Sequence, residues 1–198
     1  MLAHTISLTA AVAACAFLLA PASEGDTLTA KPGPSVSSAQ PAATHALDDA
    51  TIVAIFDAAN TADIETGKLA TTRGHSSEVR AFGAMLAHDH EQVRQMGRDL
   101  ARKLGVTPTP PADDAGAKAH EAAMTKLRAL SGADFDHAFL VHEVAFHTSV
   151  INALNSTLIP AIQNAELKAL VVKVLPAFEA HRKAAEDIDK QLAAKGDR

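Results

Sequence analysis

Apolar residues recur every three to four positions in four long stretches of this chain, separated by polar breaks and by breaks containing Pro or Gly. That period marks one face of an α-helix rather than the alternation of a half-buried strand. The first stretch runs from about Asp49 to Thr72, with Ile52, Ile55, Phe56, Ala59, Ala62 and Leu69 to one side and Gly74 closing it. A second opens at Ser76-Ser77-Glu78 and stops at Leu104-Gly105, carrying Val79, Phe82, Leu86, Val93, Gly97, Leu100 and Leu104. A shorter helix is predicted over about Ala117 to Leu130, between a proline-bearing loop and Ser131-Gly132. The third long helix opens at Asp134 and fades near Asn155, with Phe135, Phe139, Phe146, Val150 and Leu154 as its stripe. The last begins after Asn164 and reaches about Ala194, with Leu167, Leu170, Val171, Val174, Phe178, Ile188 and Leu192 inward and Pro176 inside it. Pro176 lacks the N–H of a regular turn and should bend this helix so that His181 stands beside the third. Four one-striped helices with mostly short connections predict an all-α four-helix bundle with one short extra helix.

What precedes the first helix reads differently. Residues 1–22 predict a secretory signal: an uncharged apolar run, Ile6 to Ala20, ends at Ala20-Pro21-Ala22, a small-x-small cleavage site. The run falls short of the ~20 residues a spanning helix needs. Its N-terminal flank carries only His4 where Lys or Arg is usual, and Val12-Ala13-Ala14-Cys15 offers a faint lipoprotein box as the alternative. Residues 23–46 are rich in Ser, Pro, Ala and Gly with little to bury, and are expected to form a disordered spacer. The bundle then spans 47–194, leaving 195–198 as a short tail.

Composition narrows the partners. The chain has 198 residues, 47% of them apolar, and lacks Trp and Tyr, which suits one helical core. A net charge of −5 without a basic cluster argues against nucleic acid and against an anionic membrane surface. The only cysteine, Cys15, lies in the N-terminal apolar run, so the mature chain has neither a disulfide framework nor a thiolate metal site. No transmembrane segment is expected in the mature chain.

The candidate chemistry lies where polar residues interrupt the stripes. Glu143 falls near the middle of the third long stripe, and His147 stands about 40° further round. His142 is at its edge. Asp89 and His90 fill the slot between Leu86 and Val93, and His181 sits between Phe178 and Ala185. In the first helix Glu65 lies at one edge of the stripe and Asp63 at the other. Unpaired burial of such groups would cost several kcal/mol, so they need one another, water or a metal. Imidazole and carboxylate suit Zn, Cu or Fe, and bundle cores build such sites from facing helices. His90, Glu143, His147 and His181 are therefore the expected ligands of a divalent cation, with Glu65 the fifth. The bland alternative is a buried hydrogen-bond network that fixes helix register, adequate if every member is satisfied. Asp89 can pair within its own helix, while His45, His75, His88, His120 and His137 fall on polar faces or in loops.

Four segments occur in one order: Ala62-Asp-Ile-Glu65-Thr-Gly-Lys-Leu-Ala70; Val79-Arg-Ala-Phe82 with Met85-Leu-Ala-His-Asp89-His90; Phe135-Asp136 with His142-Glu-Val-Ala-Phe-His147; and Leu175-Pro-Ala-Phe-Glu-Ala-His181. In order and spacing they resemble a bacterial exported ferritin-like family known as domain of unknown function four-one-four-two. The resemblance covers about Asp48 to Leu192 and implies a four-helix ferritin-like bundle in the periplasm or outer envelope, with no established reaction. The family's usual Glu beside the first-helix motif is replaced here by Asp63.

Ferritin-like does not imply ferroxidase in this chain. A di-iron carboxylate site needs Glu-x-x-His on two helices, and no Glu here is followed three positions later by His. Zinc-peptidase spacing is also missing, since His142 and His147 are five apart and about 140° round the helix. The sequence thus points away from an enzyme and toward an exported bundle with a mononuclear His/Glu metal site, acting in metal handling or envelope stress. A structural or partner-binding envelope bundle is the alternative, with a protein partner or a second copy of the chain in place of the metal.

Overall fold

A computed structural model describes residues 47–113 and 115–196, and these form an all-α bundle with no strand among the described residues. The predicted leader and spacer lie outside the described residues. The helices are α1 (Asp49–Arg73), α2 (Ser77–Leu104), α3 (Ala115–Arg128), α4 (Gly132–Ala153), a single turn α5 (Ile159–Ala161) and α6 (Ala165–Lys195). Between α4 and α5 the backbone continues as a π-helical turn, Leu154–Leu158, so this helix does not fade near Asn155 as its sequence suggested. Pro160 follows that turn without an N–H to donate, and both Leu154 and Leu158 stay buried. Packing runs in the cyclic order α1, α2, α6, α4, with α3 laid against α1 and α4. No helix among the described residues is long and apolar enough to cross a membrane.

Side-chain caps start three of these helices. Asp48 accepts from the Thr51 N–H at 2.8 Å, Ser76 from Val79 at 3.1 Å, and Asn164 from Glu166 and Leu167 at 2.9 and 3.1 Å. Gly105 ends α2 in the left-handed conformation (φ 65°), which brings the Val106 N–H onto the Ala101 carbonyl at 2.9 Å. Two carboxylates tie distant segments together. Asp136 accepts from the backbone N–H groups of His75 and Ser76, both at 2.7 Å, and Asp49 accepts from those of Gln163 and Asn164 at 2.9 and 2.8 Å. Charge-assisted pairs of this kind are among the stronger hydrogen bonds a fold can make.

The α1/α2 crossing is close because neither helix has a side chain there. A Cβ on Gly67 would stand 2.6 Å from the Gly83 carbonyl oxygen, and one on Gly83 would stand 2.7 Å from the Gly67 oxygen. Ala70 is fully buried beside them. This contact turns α1 so that Ile52, Phe56, Asn60, Asp63, Gly67 and Ala70 face inward. Ile55, Ala59 and Leu69, placed on the stripe by their apolarity, are only half-buried. Phe146 and Val150 are likewise half-buried on α4.

The core is not continuous. One apolar cluster gathers Phe56, Val93, Leu158, Val171 and Phe178; another gathers Phe82, Leu86, Phe139, Leu140 and Ala185. Between them every long helix turns a polar residue inward: Asn60 and Asp63 on α1, His90 on α2, Glu143 and His147 on α4, His181 on α6. All six are at most 5% exposed. This layer is the candidate site.

Candidate metal centre

Three imidazoles meet in the polar layer, one from each of α2, α4 and α6. Ring centroids are 5.6 Å apart for His90–His147, 5.1 Å for His90–His181 and 5.6 Å for His147–His181. One nitrogen from each ring falls within 4.8 Å of the other two. His181 stands beside His147, as expected, and Pro176 lies inside the unbroken run of the last helix.

Their outer nitrogens fix the tautomers. Asn60 donates its amide to the Phe56 carbonyl at 2.7 Å, which turns its oxygen toward His90 Nδ1 at 2.9 Å. His90 must therefore carry its hydrogen on Nδ1. His147 Nδ1 donates to the carbonyl of Glu143 at 3.0 Å, and His181 Nε2 to the Asp89 carboxylate at 3.1 Å. An amide oxygen, a backbone carbonyl and a carboxylate are the outer partners that metal-binding histidines ordinarily have. The inward atoms left over are His90 Nε2, His147 Nε2 and His181 Nδ1, each with its lone pair. His90 Nε2 and His181 Nδ1 lie only 3.2 Å apart, and His147 Nε2 has no hydrogen-bond partner.

Two carboxyl groups complete the layer. Asp63 Oδ2 is 3.4 Å from His90 Nδ1, and Asp63 Oδ1 is 4.0 Å from His147 Nδ1. Glu143 Oε2 is 3.5 Å from the same His147 nitrogen. With both groups ionised none of the four carboxyl oxygens has a hydrogen-bond partner; with Asp63 protonated, its O–H pairs with Glu143. Asp63, Glu143 and His147 also satisfy the spacing of a three-ligand site. His147, however, approaches those carboxyls with the nitrogen whose hydrogen serves the Glu143 carbonyl. It cannot ligate there while keeping that bond.

Burial sets the protonation states. It pushes His90 down to about 2 and His147 down to about 3, and the neighbouring imidazoles add to both shifts. His181 is also lowered by burial, although its bond to Asp89 works the other way. All three rings are neutral at neutral pH, the form that binds metals. Burial raises Asp63 well above the usual carboxylate range, with Glu143 beside it adding to the shift, and it lifts Glu143 to about 7.

Four of the five ligands read from the sequence, His90, Glu143, His147 and His181, thus converge in one buried layer. Glu65 does not. It points out of the bundle with its side chain 51% exposed and bonds His120 at 2.8 Å. Two positions make about 200° on a helix, so Asp63 and Glu65 cannot share a face, and the Gly67–Gly83 contact gives the inner one to Asp63. His120 is accordingly half-buried against α1 rather than free on a polar face, and Asp89 pairs across to α6 rather than within its own helix. His142 sits at the edge, as its angle on the stripe implied. Asn60 was missed altogether. Its signal was the spacing Phe56, Asn60, Asp63, Gly67, a regular inward row that small and polar residues hid.

No curated protein and no solved structure matches this chain. A family model does, over residues 34–188, which takes in every helix up to the last turns of α6 and all residues of the polar layer. The chain belongs to the family described as a domain of unknown function, DUF4142.

Proposed function

We propose that this protein is an exported, ferritin-like helical bundle that holds a single divalent cation on His90, His147 and His181 and serves in metal handling or envelope stress. The observation that carries the metal reading is that three neutral rings bring one nitrogen each within 4.8 Å of the others while their outer N–H groups are committed to acceptors. Two lone pairs 3.2 Å apart in dry core repel unless a positive charge lies between them. Glu143, lifted to about 7, can supply a negative charge beside the rings, while burial disfavours ionisation of Asp63. Neutral nitrogen donors suit Zn(II), Cu(II) or Fe(II). Export rests on the Ala20-Pro21-Ala22 site and the short apolar run before it.

A self-contained network is the competing reading, and the His90–His181 contact favours it if His181 carries a second proton. That proton would have to sit in a ring whose pKa burial lowers, the Asp89 bond notwithstanding. It would still leave His147 Nε2 unpartnered, although a protonated Asp63 pairs with Glu143. Such an atom costs ~1–3 kcal/mol.

Protein purified from its native host without an affinity tag should contain about one equivalent of a transition metal by elemental analysis. Its mass should place the N-terminus at or near Ser23. Metal-free protein at neutral pH that gains no stability from added Zn(II), Cu(II) or Fe(II) would defeat the metal reading. An intact Met1 form in the cytoplasm would defeat export.

A further inference from the structure

We infer that a cation on the histidine triad keeps an open position toward the cleft between α2 and α6, and that this position takes a small anion guided by Lys173. The inference rests on the metal reading above. The triad is closed off on the α1 side by Asn60 and Asp63, both at most 1% exposed, and on the α4 side by Glu143, which is wholly buried. Toward α2 and α6 the surface comes close to it, with His181 5% exposed. A cleft of about 230 Å³ opens there, with His90 and His181 of the triad in its lining. Its other walls include Asp89 and Met96 on α2, and Lys173 and Ala177 on α6.

Spacing explains why the cleft exists. Lys173, Ala177 and His181 follow one another at four-residue intervals, so they line one face of α6. The middle member is only a methyl group and leaves room above the ring of His181. Drug-sized ligands occupy pockets of roughly 300–1,000 Å³. This one is smaller, which favours a small occupant.

Charge sets the class of occupant. Three neutral imidazoles leave a dication's charge undiminished by its direct ligands, so a fourth donor is favoured if it is anionic. Asp89 keeps its negative charge, because the His181 ring it accepts from at 3.1 Å is neutral. Lys173 has no carboxylate in ion-pair range among the described residues. Lys173 and Asp89 therefore offset one another in the cleft, and the dication's own charge selects the occupant. Small anions such as azide or bicarbonate suit the dication's charge, with Lys173 offsetting the repulsion of Asp89.

The test uses the full mature chain loaded with one equivalent of Co(II), whose visible spectrum reports its coordination. Azide should change that spectrum in a saturable way. Lys173→Glu should weaken azide several-fold, and Ala177→Leu should block it, with both variants still binding one Co(II). A spectrum that stays fixed in large azide excess, at full Co(II) occupancy, overturns the open position. Azide affinity unchanged in both variants overturns the cleft as its route. Failure of the wild-type chain to bind Co(II) at all would count against the metal reading itself and not against the cleft.

Discussion

His147→Ala should lower the affinity for a divalent cation more than ~100-fold, since loss of a mere outer partner of a ligand already costs roughly 10–100-fold. The loss should appear as a vanished thermal shift. A cation at a hundred times its dissociation constant stabilises the wild type by ~2.7 kcal/mol, and the variant should gain almost nothing. Metal-free protein should respond differently. There the substitution removes a buried, unpartnered Nε2, which relieves ~1–3 kcal/mol, and it opens a cavity whose cost is of similar size. The two terms largely cancel. Paired melts of wild type and variant, with and without metal, separate the cases: a large loss in the metal-free pair, with no metal shift in the wild type, would favour the self-contained network.

The second large effect is acid sensitivity of the metal-free chain. Burial lowers His90 to about 2, His147 to about 3 and His142 to about 4, and it lowers His181 as well. Below the ordinary histidine value near 6.5, the unfolded chain therefore binds protons that the folded chain refuses. Each such group removes ~1.4 kcal/mol of stability per pH unit until its folded pKa is reached. Asp63 and Glu143 act in the opposite direction. The raised pKa of Glu143 favours the folded state as pH falls from about 7 to its ordinary value near 4.5, and that of Asp63 does so down to its ordinary value near 3.8. Between pH 6.5 and 4.5 two carboxyls thus offset part of what four histidines lose. Below about pH 4 the offset ends while His90 and His147 still lose stability, so the fall should steepen. Circular dichroism of metal-free protein across pH 8 to 3 reads this directly, and a midpoint independent of pH from 7 to 4 would contradict the buried neutral imidazoles. A bound cation should likewise survive below the ordinary histidine range, because protons compete poorly for rings held this far down.

Much of this architecture could be read from period and punctuation. The Ser76 and Asn164 caps and the Gly105 stop marked their helix ends in the sequence, and the α2, α4 and α6 stripes placed His90, Glu143, His147 and His181 inward. The first helix was harder. Its inner face is built for close approach, with Gly67 and Ala70 against Gly83, so apolarity alone pointed to the wrong side and promoted Glu65 over Asp63. Partners across helices were also illegible. Nothing in the α2 sequence says that Asp89 will reach His181, or that Asn60 will orient His90; both follow from the order in which the helices pack. The π-helical turn after α4 carried no periodic signal beyond Pro160.

The polar layer also bears on how the molecule comes apart. In most small domains one uninterrupted core makes unfolding all-or-none. Here the apolar cluster around Phe56, Val171 and Phe178 stops at the layer, and the cluster around Phe82, Phe139 and Ala185 begins beyond it. Without a cation, the two ends are joined through groups whose pairing is incomplete, so each end can open with its own free energy. Amide exchange should then divide α6 near His181, with protection near Val171 differing from protection near Leu192. With the centre filled, both halves should exchange as one unit, and the cation would act as the rivet that makes two half-cores a single cooperative domain.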